Sequence, residues 1–183
     1  MPQSLSKVYL HVVYSTKDRR PFLQDKQIRQ RAHAYLAAAC DRLECPKIKI
    51  GGVEDHVHIL CHLSRNISIA DLVREIKRES SKAIKEMGAG LDKFQWQRGY
   101  GAFSASPSHV APLKTYIANQ ASHHQRESFQ DEFRRLLRKY DVDYDERYVW
   151  DRWRDYDLSP APNLWGGHRG RGNIPSPRSG HTR

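Results

Sequence analysis

The chain reads as an α+β domain: an antiparallel sheet in the order β-α-β-β-α-β, with additional C-terminal helices. Three observations lead there. Short runs rich in β-branched and aromatic residues alternate with longer segments whose apolar residues recur at helical spacing. Breakers such as Pro46, Gly88 and Gly90 stand between them. At 183 residues the length suits one domain with enough core to fold without disulfides.

The elements follow in order. Lys7-Val8-Tyr9-Leu10-His11-Val12-Val13-Tyr14 is a strand by composition. A helix from about Asp25 to Leu43 puts Ile28, Ala32, Tyr35, Leu36, Ala39 and Leu43 on one side, and Pro46 stops it. Ile48, Ile50 and Val53 make a second strand, and His56 to Leu63 a third, with Glu54-Asp55 as the tight turn between them. Ser68 and Asp71 form a variant capping box opening the second helix. Its apolar face is Leu72, Val73, Ile76, Ala83, Ile84 and Met87, and Gly88 and Gly90 end it. The fourth strand is expected within Phe94–Phe103, interrupted by Gly99 and Gly101. This is the order of a ferredoxin-like (RRM-like) split βαβ unit, whose first and third strands are central in the sheet.

Ser106 at the N-cap and Pro107 at N1 start a further helix, expected to run to about Arg126. Val110, Leu113, Ile117 and Ala121 should pack inward, while Tyr116, Gln120 and His123 share another stripe. The last helix begins at Ser128 and buries Phe129, Phe133, Leu136, Leu137 and Tyr140. Residues 1–151 form the expected domain. Residues 152–183 carry six Arg against two Asp, with four Pro and five Gly, and cannot bury a core. That basic tail, expected to be disordered, is either an arm on nucleic acid or a dispensable extension.

The net charge of +10, from 31 Lys and Arg against 21 Asp and Glu, suits a polyanionic partner, and nucleic acid is the commonest in a cell. Cations and rings interleave at Phe94-Gln95-Trp96-Gln97-Arg98-Gly99-Tyr100, as in surfaces that stack unpaired bases, although core packing of Trp96 or Tyr100 explains the same pattern. Three cysteines, Cys40, Cys45 and Cys61, match no zinc spacing and point to a reducing cytoplasm. No signal peptide or membrane-crossing segment is expected.

The chemistry concentrates in two segments. In His56-Val57-His58 the period of a strand sends both imidazoles to one face, offering two neutral nitrogens to one divalent metal. On a helix Tyr116 and Gln120 lie at i and i+4, so a phenol and a carboxamide oxygen can meet that metal from the other side. Each part alone is unspecific, since His-x-His pairs and helical tyrosines usually serve packing. Together they suggest phosphodiester cleavage through a covalent tyrosine intermediate. No cluster of carboxylates of the two-metal nuclease kind is visible, which favours a one-metal tyrosine route. His11, on the neighbouring central strand, is a further candidate, as are His62, His123 and His124; a surface or structural role is the ordinary expectation for all four.

Gly52-Val53-Glu54-Asp55-His56-Val57-His58-Ile59-Leu60 resembles the His-hydrophobe-His motif of single-tyrosine (HUH) transposases of the insertion-sequence 200/605 type. The resemblance continues through Gly99–Ser104 and Tyr116-Ile117-Ala118-Asn119-Gln120 and closes at Asp145–Asp151, covering roughly residues 4–151. It implies a ferredoxin-like fold, one Mg²⁺ or Mn²⁺, single-stranded DNA with hairpin ends as substrate, and a homodimer. It also implies His56 and His58 as metal ligands, Gln120 as third ligand, and Tyr116 as the nucleophile that forms a 5′-phosphotyrosine. Two alternatives stay open. One is a domesticated or replication-type enzyme that nicks single strands with the same residues. The other is a non-catalytic single-stranded nucleic-acid-binding module, which would display stacking aromatics on its sheet.

Overall fold

A computed structural model describes residues 5–150. The boundary expected at Asp151 and the tail 152–183 lie outside the described residues. Strand β1 spans Val8–Ser15, β2 Lys47–Gly52, β3 His56–Leu63 and β4 Gly101–Ala105. Helix α1 spans Lys26–Arg42, α2 Ile69–Lys85, α3 Pro107–Ala118, α4 Gln120–His123, α5 Phe129–Lys139 and α6 Glu146–Val149. The sheet order is β2-β3-β1-β4 with every pair antiparallel, so β1 and β3 are central as the split βαβ order requires.

Short-range chemistry sets the helix ends. Asp25 accepts from the amides of Gln27 and Ile28 at 2.7 and 2.9 Å, starting α1. Ser68 and Ser128 do the same for the amides of Asp71 and Asp131. At the far end of α1, Glu44 takes a left-handed conformation (φ 55°) before Pro46.

Strand alternation sorts the sheet into two faces. Leu10, Val12, Tyr14, Val57, Ile59 and Cys61 point toward α1 and α2 and form the larger core with Leu36, Leu72, Ile76 and Ile84. Full burial of each such aliphatic side chain contributes about 1.5–3 kcal/mol. Val13 and Phe103, on the other face, pack against Phe129, Phe133, Leu136 and Leu137 of α5. His11, His56 and His58 lie on this second face by parity and are fully buried.

The structure corrects three expectations. The fourth strand, expected within Phe94–Phe103, starts only at Gly101. Phe94 and Trp96 instead plug the larger core, Trp96 edge-on to Tyr14 at 5.0 Å and donating from its indole to Ser80 Oγ at 2.9 Å. Their burial mimics strand patterning. The single helix expected from Pro107 to Arg126 breaks at Asn119 (φ −97°, ψ 17°) into α3 and α4. That break shifts the helical phase, so Gln120 is buried and Ala121 is exposed rather than inward. Tyr35, expected on the inner side of α1, is 47% exposed.

Gly51 couples the sheet to α3. A Cβ there would strike the carbonyl oxygen of Ile117 and come within 2.8 Å of its Cγ2. The chain approaches so closely that only hydrogen fits. Gly51→Ala should therefore cost about 1–3 kcal/mol by overpacking and push the Tyr116 helix off β2. Thermal denaturation will show the first effect; strand cleavage, lowered well beyond what the stability change explains, will show the second.

Candidate active site

The site is built where the His-x-His strand, α3, α4 and α5 converge. His56 and His58 project from β3 beneath Gln120 and Glu132, both about 1% exposed. Asp55 Oδ1 lies 2.7 Å from His56 Nδ1. With that nitrogen donating to the carboxylate, the Nε2 lone pair turns inward, the arrangement in which a carboxylate fixes the tautomer of a metal-binding histidine. What His56 Nε2 meets is another acceptor, Gln120 Oε1 at 3.2 Å. The amide orientation is set by its nitrogen, which donates to Glu132 Oε1 at 3.0 Å.

His58 is arranged the same way. Its Nδ1 lies 3.0 Å from His11 Nε2, and its buried Nε2 has no hydrogen-bond partner among the described residues, lying 3.4 Å from Glu132 Oε1. Burial, then the neighbouring His58, pushes the His11 pKa down to about 3, so His11 stays neutral and can accept from its neighbour. Burial likewise lowers the pKa of His58. Lone pairs of His56, His58 and Gln120 and the Glu132 carboxylate thus face one another, a set that a cation satisfies. His56, His58, His124 and Glu132 each offer a ligand atom, and these atoms lie within 4.8 Å of one another. The donor set suits one divalent ion.

Glu132 is the hub. Burial alone would raise its pKa, but the hydrogen bonds from His124 (2.9 Å) and the Tyr116 hydroxyl outweigh it and hold the carboxyl far below its usual range. His124 is raised in return, burial being outweighed by the bond to Glu132. Tyr116 stands over His58, ring centroids 5.9 Å apart, and donates its hydroxyl to Glu132 Oε1. Burial and then Glu132 raise the phenol pKa, against Arg135, whose guanidinium donates to the same hydroxyl at 3.1 Å. Arg135 is itself held by two bonds to Glu127, at 3.0 and 2.8 Å.

The four residues given roles in the sequence are here: His56, His58, Tyr116 and Gln120 come together within one chain. His11 and His124 join them. His123 only packs its ring near Tyr116, at 4.9 Å, and His62 pairs with Tyr9 away from the site. Sequence reasoning missed Glu132, Asp55 as the partner of His56, and Arg135. A signal for Glu132 was present: it lies between Phe129 and Leu136 on the apolar stripe of α5, where an unpaired carboxylate would be costly.

An antiparallel ferredoxin-like sheet with two buried histidines on a central strand, faced by a helical tyrosine, defines an α+β histidine–tyrosine protein. The chain belongs to the family described as Transposase IS200 like, which matches residues 4–120 and so includes Tyr116 and Gln120. Its structure is similar to a Deinococcus radiodurans R1 protein provisionally described as a transposase, at TM-score 0.54 and 21% identity over 66% of this chain and 95% of that one. It is also similar to a REP-associated tyrosine transposase bound to a REP hairpin, at TM-score 0.51 and 16% identity over 84% of this chain and 97% of that one. At these identities the likeness is one of fold. No curated protein sequence matches the chain. Among the described residues no helix is long and apolar enough to cross a membrane.

Proposed function

We propose that this chain cleaves and rejoins single-stranded DNA at hairpin-bearing ends, with Tyr116 as the nucleophile and one Mg²⁺ or Mn²⁺ held by His56, His58, Glu132 and Gln120. The observation that carries it is the facing of inward lone pairs of His56, His58 and Gln120 and a buried carboxylate directly beneath the Tyr116 hydroxyl. A divalent ion there supplies charge neutralisation at the scissile phosphate. Tyr116 Oη forms the new bond to phosphorus, the bond to the 3′ oxygen breaks, and a 5′-phosphotyrosine and a 3′-hydroxyl result. The phenol is a poor nucleophile until its proton leaves. In the resting site that proton lies on the hydrogen bond to Glu132, and Arg135 is placed to stabilise the phenolate. His124 and Asp55 position Glu132 and His56. Because the phosphotyrosine conserves the phosphodiester, a second 3′-hydroxyl can reverse the step and no nucleotide cofactor is needed.

The non-catalytic module finds less support. It needs an open sheet displaying aromatics, whereas α1 and α2 cover one face and α5 packs on the other. A nicking enzyme would use the same groups, and joining of two cut strands separates it from a transposase. The homodimer stays a proposal about assembly, which sedimentation tests. One chain alone brings Tyr116 to its own His58, so mixing Tyr116→Phe with His58→Ala protein should restore no cleavage. Restoration after subunit exchange would show a shared site instead.

The direct test is incubation with Mn²⁺ and single-stranded hairpin DNA, followed by a denaturing gel. A covalent protein–DNA adduct that disappears with a chelator is expected. Metal-independent cleavage, or free cut DNA with no adduct at any time, would sink the reading.

A further inference from the structure

Across the sheet from the histidines, α2 and the segment 94–100 enclose a groove of about 480 Å³. Arg74, Lys77, Arg78, Lys85 and Arg98 line it, and among the described residues no carboxylate does. Arg74 and Arg78 lean on Asp71 and Glu75 outside it, surface pairs worth at most about 1 kcal/mol each. The aromatic part is Phe94, Trp96 and Tyr100. Phe94 and Trp96 are committed to the core, but Tyr100 is 37% exposed. Its loop is held by Lys77, whose ammonium donates to the carbonyls of Gln97, Arg98 and Gly99 at 2.9, 3.2 and 2.7 Å and lies 5.6 Å over the Tyr100 ring. A partly exposed ring beside cations is thus presented to solvent.

The groove does not end there. Gln95 also lines a second hollow of about 190 Å³, which adds Lys17, Arg20 and Lys93 against Asp18. The Lys17 amide donates to the Gln95 carbonyl at 2.8 Å, so the two hollows share a wall. The groove's wall is also bonded to the histidine end of the sheet. Gln97 Oε1 accepts from the amide (3.1 Å) and hydroxyl of Ser15, which stands opposite His56. The Thr16 amide donates to the carbonyl of Asp55, the residue that holds His56.

We propose that this groove is a track for the single-stranded DNA that flanks the scissile phosphate, its cations taking successive backbone phosphates and Tyr100 stacking one unpaired base. The proposal rests on the reading of the histidine–tyrosine site as a DNA strand transferase. Cations strung over two hollows exceed what one phosphate uses, and a duplex has no free base face to offer Tyr100. A row of cations with a partly exposed ring is the pattern of single-strand binding.

The test uses the full chain and a fluorescein-labelled oligothymidylate, with affinity measured over a salt series. Arg78, Lys85 and Lys93 are exposed, so their joint change to Gln should leave the melting temperature unchanged while weakening binding at least about tenfold. The slope of log K against log salt should fall by about 2, at roughly 0.7 for each phosphate that is no longer neutralised. Tyr100→Ala should weaken binding about fivefold or more through the absence of stacking, and Tyr100→Phe should not. The hairpin adduct assay runs in parallel. Unchanged affinity and slope in the triple variant, with the wild type forming its adduct, would overturn the groove and leave the strand-transferase reading standing. Weakened binding in the variants with no wild-type adduct would overturn that reading and leave the groove as a DNA track. Tighter binding of oligouridylate would assign the groove to RNA and overturn the proposal.

Discussion

Tyr116→Phe protein should bind hairpin DNA nearly as well as wild type yet form no covalent adduct, a loss on the order of 10⁴-fold or more in cleavage, as when other covalent enzymes lose their nucleophile. The change removes one oxygen. The ring keeps its place beside His58 and His123. Glu132 loses one donor but keeps Gln120 and His124, and Arg135 keeps Glu127, so no buried charge is stranded. The melting temperature should therefore move little, within roughly 1 kcal/mol of stability. Peptide mapping of the wild-type adduct should place the DNA on the segment that holds Tyr116. An adduct persisting in Tyr116→Phe would mean that another tyrosine attacks.

Much of this site is legible in the chain because it is carried by local periodicity. His56 and His58 share a face by the period of a strand, and their strand is central by the order of elements. Both follow from spacing and chain order alone. Helical spacing pairs Tyr116 with Gln120, yet the helix breaks between them at Asn119. They reach one site all the same, because Ile117 is seated against Gly51 and fixes the end of α3 above the histidines. A close approach between a glycine strand and a helix carbonyl leaves no periodic signal.

Glu132 is legible only in part: its place on the apolar stripe of α5 marks a buried carboxylate but not what it meets. It meets the histidines only through tertiary packing, from an element beyond the segment that the family match covers. Phe94 and Trp96 mislead by the reverse effect: buried residues in an irregular segment alternate as a strand would. The long-range packing that places Glu132 comes from α5 closing the sheet's second face. The packing that takes in Phe94 and Trp96 belongs to the larger core on the first.

The cation site itself gives the second large effect. Titrating the wild type with Mn²⁺ should raise its melting temperature, since a ligand at one hundred times its dissociation constant stabilises by about 2.7 kcal/mol. His58→Ala should abolish that rise together with the adduct, and its own baseline should drop because it opens a cavity and leaves His11 unpartnered. Glu132→Gln is the sharper variant. It keeps volume and removes the charge that faces His58 at 3.4 Å and His56 at 3.7 Å. Loss of a group that only orients a ligand costs about 10–100-fold in metal affinity, so loss of a ligating carboxylate should reach at least the top of that range. The Mn²⁺ needed for half-maximal adduct would rise accordingly. A purely structural Glu132 predicts another pattern: a lower baseline stability with the metal-induced rise and the half-maximal Mn²⁺ both unchanged. Because the metal-induced shift is measured against each variant's own baseline, the two patterns separate even where folding is weakened.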